Sequence, residues 1–531
     1  MTSRKPDKPR PTIREAATYA EKKARLDDLG RRVEAGGGEK NIARQHERGK
    51  LLATERAQLL FDKGSFHEMN RYMASARDIP RAGVLTGWGL VGGRPAVIIA
   101  NLNDVKAGAW YPETIQKILK AQDYAHKQRI PTVFLVDCAG AFLPEQDHVF
   151  PDHNHAGDIF NRMSLYSGIF PQVAGVFGPC VAGGGYVPGL ADFSPFVKGR
   201  SSAFLAGPKL AKAAVGEEIS EQDLGGSKVH CELSGVGDLE VESDEACIEA
   251  IRKFLSYLPT NHTMPAPRLE TGDDPLRTTG EIAAVVPEDT RKVYDMRKIV
   301  TAITDRDSWF ELRPRYARQM LTGFARLDGF PVGIVANQPN FYGGVIDTLA
   351  ADKTAWFISL CDSFNVPLLF FQDVPGFMVG SKAEHRGIIH AGARMIQNLA
   401  RATVPKLTVV VRKAYGAGYY AMCGTAFGPR RIFGLPWAEI AVMASSQVGQ
   451  VVFGEKLAGA EGAAREQIET EMRETVERHD RTVTVEYAAS RGWIDEILEP
   501  EQVRPRLAAE LKLSLDSPVM MREGKRPVMP V

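Results

Sequence analysis

No run in this chain of 531 residues stays apolar for the eighteen or more positions that a membrane helix needs, so no membrane partner is expected. Cysteine is scarce. The six residues Cys138, Cys180, Cys231, Cys247, Cys361 and Cys423 stand singly, with no C-x-x-C pair to found a zinc ribbon or a redox site, which fits a reducing cytoplasm. Excess charge is missing too: a net +1 removes the broad basic footprint of a nucleic-acid binder. There is no G-x-x-x-x-G-K-[ST] run to cradle nucleotide phosphates. His148, His153 and His155 gather beside Asp147 and Asp152, but at a spacing that matches no established ligand pattern, so no metal is read there. The opening MTSRKPDKPRP has prolines where a targeting helix would need regular turns, and residues 1–30 read as a leader.

What is present is globular: 44% hydrophobic and 25% charged residues, in a chain too long for one ordinary core. It repeats itself. At an offset of 236, LTGWGLVGGRPAVIIAN (85–101) meets LTGFARLDGFPVGIVAN (321–337) with eight of 17 positions identical, where unrelated segments share about one. The same offset brings PTVFLVDCAGAFL (131–143) onto PLLFFQDVPGFMV (367–379), pairing Asp137 with Asp373 and Gly140 with Gly376. At an offset of 234, Gly183 and Gly184 fall opposite Ala417 and Gly418. The chain is an internal duplication.

Apolar runs such as AVIIAN, TVFLVD, VGIVAN and LTVVVR read as strands buried on both faces. Between them, 112–127, 348–363 and 387–401 read as helices, so each half is an α/β unit with right-handed crossovers. The halves are placed at 31–258 and 288–531, joined by a proline-rich linker over 259–287. The charged stretch 464–480 reads as a solvent-facing helix. Asp137 and Asp373 end equivalent strands, and their duplication assigns them to the fold. Lys50, Lys106 and Arg48 are the cations considered for phosphate contacts, with a solvated-surface role expected of each.

CVAGGGYVPGL (180–190) and AYGAGYYAMCG (414–424) are the loops where chemistry is expected. A strand that ends in glycines and alanines leading into a helix leaves backbone N–H groups open to an oxyanion. A plainer reading, close packing of strand on helix, is the alternative. Each half holds a second small-residue loop, VKAGAW (105–110) and FYGGVI (341–346), which could add one N–H apiece.

These loops, together with DVPGFMVG (373–380), ATVPKLTVVVRKAYGAGYYAM (402–422) and GWIDEILEP (492–500), resemble the carboxyltransferase (beta) subunits of biotin-dependent acyl-CoA carboxylases, of the propionyl- and methylcrotonyl-CoA type, within the crotonase superfamily. The resemblance runs from about residue 30 to 520. It implies two tandem crotonase-like ββα-superhelix domains and the transfer of CO2 from carboxybiotin to the alpha or vinylogous carbon of an acyl-CoA through a thioester enolate. The chain has no methionine-lysine-methionine site, so biotin is expected on a partner biotin carboxylase and biotin carboxyl carrier subunit. Two oxyanions then need two holes. By resemblance Ala182, Gly183 and Gly184, helped by Gly108 and Ala109, serve the coenzyme A thioester, while Ala417 and Gly418, with Gly343 or Gly344, serve the biotin ureido oxygen. A homo-hexamer is implied, with no protein general base. Tyr420 stands where short-chain members carry aspartate, which points to a larger, branched or unsaturated acyl group. Alternatives are a glutaconyl-CoA-like decarboxylase alpha subunit, which loads biotin instead, and a non-catalytic scaffold.

Overall fold

A computed structural model of the chain describes residues 18–517 and Val528. The leader lies outside the described residues as far as residue 17; from there Thr18 caps a helix, Tyr19–Glu34, that runs across the boundary drawn at 30.

The duplication is visible at the level of hydrogen-bond register. The first sheet is built from β1 (His67–Glu68), β2 (Val84–Val91), β3 (Arg94–Asn101), β4 (Thr132–Cys138), β5 (Gln172–Val181), β6 (Pro195–Val197), β7 (Ser202–Phe204) and β8 (Leu239–Val241). The second runs through β9 (Phe310–Leu312), β10 (Met320–Leu327), β11 (Phe330–Asn337), β12 (Leu368–Val374), β13 (Lys406–Tyr415), β14 (Arg431–Gly434), β15 (Glu439–Ala441) and β16 (Glu496–Ile497). In both, an antiparallel hairpin (β2–β3, β10–β11) feeds parallel strands. Val97 faces Thr132 in β3–β4, and Gly333 faces Leu368 in β11–β12, the same pairing displaced by 236. Even the irregularity is copied: β4–β5 slips between Val136 and Cys138, and β12–β13 slips between Gln372 and Val374. The three expected helices appear as Pro112–Gln128, Thr348–Ser363 and Ile388–Arg401. The helix Gly462–Thr482 has no buried residue, as a charged solvent-facing segment should.

The halves share one core. Phe254, on the helix Asp244–Tyr257, stacks on Phe193 at 4.5 Å and meets Phe324 of the second half edge-on at 5.9 Å, while Tyr257 stacks on Phe324 at 5.5 Å. Beside these rings Arg313 donates to Asp238 at 2.7 Å, a buried pair that crosses between the halves, and lies 3.7 Å over the Trp356 ring. The proline-rich stretch 259–287 is not free. Leu269 N–H bonds Gly329 O, the Thr271 hydroxyl bonds Asp305, and the Thr279 hydroxyl bonds Pro500 O, which ties the stretch along the second half.

Asp137 and Asp373 close their strands with buried charge, and each half neutralises it differently. In the first, Lys50 enters from the N-terminal segment and bonds both carboxylate oxygens at 3.0 and 2.9 Å. Lys50 is therefore largely buried in an ion pair, its side chain 10% exposed, and not the solvated cation that its isolated position in the sequence implied. In the second, Arg412 bonds Asp373 at 3.0 Å from within β13. The residue aligned with Arg412 at an offset of 234 is Gly178, and its bare Cα makes the room that Lys50 fills: a Cβ there would stand 2.0 Å from Asp137 Oδ1 and 2.6 Å from Lys50 Nζ. Breaking a buried pair costs about 3–5 kcal/mol. Gly178→Ala is accordingly expected to lower the urea unfolding midpoint sharply, whereas Gly454→Ala, on the exposed side of the helix Ser445–Ala458 where a Cβ would meet nothing within 4 Å, is expected to leave it unchanged or slightly raised.

Candidate functional site

The two glycine loops sit at matching strand-to-helix junctions. In the first half β5 ends at Val181 and the chain turns through Ala182–Gly185 into the short helix Tyr186–Leu190. In the second, Tyr415 ends β13 and Gly416–Ala421 forms the helix directly. The turn begins with a left-handed residue in both, Ala182 (φ 55°) and Gly416 (φ 55°), aligned at the offset of 234. An alanine in that conformation costs about 1–2 kcal/mol, which the surrounding strand and helix must hold in place. The first N–H groups of a helical turn have no partner within it, so Gly183 and Gly184, and Ala417 and Gly418, carry unspent donors. Gly184 and Gly418 are buried and Ala417 is exposed.

The smaller loops behave differently from what was expected of them. Lys106–Gly108 and Tyr342–Gly344 form single tight turns in which Gly108 N–H bonds Val105 O, Ala109 N–H bonds Lys106 O, Gly344 N–H bonds Phe341 O and Val345 N–H bonds Tyr342 O. The amides of Gly108, Ala109 and Gly344 are spent inside their turns and offer no donor to a ligand; of the four loop residues expected to donate, Gly343 alone has an amide with no backbone acceptor among the described bonds. Asn101 explains why these turns recur: it donates to Gly108 O at 3.4 Å and accepts from Asp137 N–H at 3.4 Å. Asn337 does the same with Gly344 O at 3.0 Å and Asp373 N–H at 3.3 Å. The turns are spacers held by an asparagine.

Free donors stand instead just after β4 and β12. Trp110 N–H bonds Gly140 O and Phe142 N–H bonds Trp110 O, a bridge that leaves the intervening Ala141 N–H facing the other way, with no acceptor among the described bonds. In the second half Ile346 N–H bonds Gly376 O and Met378 N–H bonds Ile346 O, leaving Phe377 N–H in the same state. These segments run beside the glycine turns: a Cβ on Gly418 would stand 3.1 Å from Gly376 Cα and 2.6 Å from Val374 Cγ2. In the second half an unspent amide at the helix start thus lies beside the strand end that carries Phe377, and the first half places its turn against Cys138 at the corresponding strand end. The aligned D-x-x-G of 137–140 and 373–376 was the sequence signal for the second donor, one residue past its glycine.

The side chains around the turns are chosen for shape. Trp110, Phe160 and Tyr186 line the first: a Cβ on Gly183 would meet Phe160 at 3.1 Å and Trp110 at 3.7 Å, and Tyr186 packs edge-on to Phe160 at 5.7 Å. Cys138 and Cys180, register partners beside that turn, are not nucleophiles, because burial pushes the Cys138 thiol up to about 12 and Cys180 well above the usual range. Tyr419 packs under its turn, with its hydroxyl on Thr425, while Tyr420, aligned with Tyr186, is half exposed. Backbone dipoles, rather than a titrating side chain, are what both turns have to offer.

Residues 44–529 match the carboxyl transferase domain family. The chain belongs to the carboxyl transferase family. It is 39% identical over 523 residues to the biotin-dependent 3-methylcrotonyl-coenzyme A carboxylase beta1 subunit of Mycobacterium tuberculosis, covering 96% of this chain and 98% of that one. Methylmalonyl-CoA decarboxylase subunit alpha of Veillonella parvula is 37% identical over 505 residues, covering 94% and 96%. Among solved structures, the transcarboxylase 12S hexamer with hydrolyzed methylmalonyl-coenzyme A bound superposes with a TM-score of 0.88 at 34% identity over 96% of this chain and 99% of that one. The protein is an enzyme of the biotin-dependent acyl-CoA carboxylase type and acts as its carboxyltransferase component. Two tandem crotonase-like halves are the fold of this family member.

If buried amides do the chemistry, moving one must cost turnover without loss of fold. Removing one such donor costs roughly 100- to 1,000-fold in kcat. Gly418→Ala, whose Cβ has to push Val374 and Gly376 aside, is expected to lower kcat by that order with its circular dichroism spectrum unchanged.

Proposed function

We propose that this chain moves CO2 between carboxybiotin, borne by a partner biotin carboxylase and biotin carboxyl carrier subunit, and the alpha or vinylogous carbon of an acyl-CoA, with one amide pocket per reactant. The observation that carries the reading is the duplicated pair of donors. Gly183 and Gly184 with Ala141 receive the thioester oxygen in the first half; Ala417 and Gly418 with Phe377 receive the ureido oxygen in the second. Charge builds on the thioester oxygen when the alpha proton leaves, and two well-placed amides lower that barrier by several kcal/mol, at roughly 3–4 kcal/mol each. Carboxybiotin supplies the CO2 equivalent and a basic ring nitrogen, so the pockets need no protein base. Their own residues orient the oxygen, exclude water and hold the acyl chain.

The aromatic wall of Trp110, Phe160 and Tyr186 beside the first turn supports a larger, branched or unsaturated acyl group, as does Tyr420. Assembly is read as a homo-hexamer in which the first half of one subunit faces the second half of the next. A cytoplasmic setting agrees with six buried, unpaired cysteines and with the absence, among the described residues, of a helix long and apolar enough to cross a membrane. Likeness to a decarboxylase alpha subunit supports a second reading, the same transfer run toward biotin in the cell. The purified chain, given free biotin and either methylmalonyl-CoA or 3-methylglutaconyl-CoA labelled in the free carboxyl, is expected to release labelled CO2 only when biotin is present. No release across a broad panel of carboxylated acyl-CoA esters overturns the proposal; running the reaction with the native carrier, with and without its carboxylase activity, sets the direction.

A further inference from the structure

Position 106 and position 342 occupy the same place in the duplicated fold and carry opposite chemistry. Both open the tight turn that follows the hairpin, at an offset of 236, and both are left-handed, with φ 48° at Lys106 and 50° at Tyr342. A side chain pays about 1–2 kcal/mol to sit in that conformation, where glycine would pay nothing, so the strain has been accepted twice to place a side chain at the tip. The frame beneath each tip is the same asparagine clamp, Asn101 below one and Asn337 below the other. Only the tips differ.

Lys106 is exposed and pairs with no carboxylate among the described residues. Tyr342 is 77% exposed and stacks on no other ring among the described residues. It stands at the rim of a cavity of about 860 Å³ lined by Asp347, Leu349, Met378, Lys382 and Arg386, in which the Asp347 carboxylate accepts from the Ala350 N–H at 2.8 Å and caps the helix behind it. Met378 is the residue after Phe377, so the cavity opens beside the free amide of the second half. Lys382 and Arg386 are exposed there and also lack a carboxylate partner among the described residues. An ammonium at the tip suits a ligand tail of phosphates. A phenol ring there brings no charge to phosphates; it offers a flat apolar face to a neutral ring and its aliphatic arm, with two cations lining the same cavity for an attached carboxylate.

We propose that Tyr342 is the specificity-determining residue of the second half's cleft, selecting an uncharged ring carrying a carboxyl group, and that Lys106 is its counterpart selecting a polyphosphate tail. The inference rests on the two-pocket reading above and adds which side chains tell the two reactants apart. It is tested by steady-state transfer from methylmalonyl-CoA or 3-methylglutaconyl-CoA to free biotin, varying each reactant in turn. Tyr342→Ala is expected to raise the KM for biotin roughly tenfold, Tyr342→Phe to restore it, and the KM for the ester to stay within about twofold. Lys106→Tyr is expected to raise the KM for the ester by a similar factor, and the effect should vanish with the matching acyl-pantetheine, which has no phosphates. An unchanged biotin KM in Tyr342→Ala, or equal damage to both reactants in both variants, overturns the inference and leaves the two pockets standing. Absence of transfer in the unsubstituted enzyme removes the proposed function, and this inference with it.

Discussion

A backbone amide is a useful catalytic group only while its backbone cannot move, and the structure depends on how that rigidity is arranged. In each half one asparagine side chain at the end of a strand bonds both the tight turn after the hairpin and the backbone of the aspartate that ends the next strand. The aspartate is held in turn by a cation, the largely buried Lys50 or the buried Arg412. The donor segment leaves the sheet from that aspartate three to four residues later. A shift of an ångström there would misplace the N–H against an oxyanion, and such preorganised dipoles lose most of their worth when they must reorganise.

Duplication preserved the constraint and exchanged the parts that supply it. The carboxylate, the asparagine and the strand slip are common to both halves, but the neutralising cation comes from a different place in each, and Gly178 in one half is the space that Arg412 occupies in the other. Selection on the backbone frame explains this pattern: any cation that reaches the aspartate will do, provided the residue across from it makes room. Around the tight turns the side chains have diverged further, as Trp110 against Ile346 and Lys106 against Tyr342.

Much of this was legible in the sequence because it is periodic. Buried parallel strands are continuous apolar runs, the helices between them keep a regular stripe, and the repeat reports its own register; the strands, the helices 112–128, 348–363 and 388–401, and the glycine turns follow from these signals. What was not legible is where hydrogen bonds go. Gly108 and Gly344 look open in the sequence, yet their amides close tight turns, while Ala141 and Phe377 are unremarkable residues whose own isolated bridges, to Trp110 and Ile346, leave their amides without an acceptor among the described bonds. Lys50 looked like a surface cation because nothing local shows that an aspartate 87 positions on will bury it. Long-range pairing decides the fate of Lys50, Ala141 and Phe377, whereas Gly108 and Gly344 close bonds only three residues long whose direction small residues alone do not announce.

The shared core has a consequence for how the halves can work. Phe193, Phe254, Phe310, Phe324 and Phe357 pack across the join, and Arg313 and Asp238 pair inside it, so the halves of one chain cannot hinge without opening a close-packed aromatic core and stripping a buried ion pair. Closing a cleft around two substrates by domain rotation is thus an expensive route for this chain. On the proposed function, the reactants would instead be brought together by a carrier that swings one of them in, or by a neighbouring copy whose second half faces this first half. A rigid half of this kind suits the proposed task of holding one oxygen, because its frame does not have to change shape when the charge arrives.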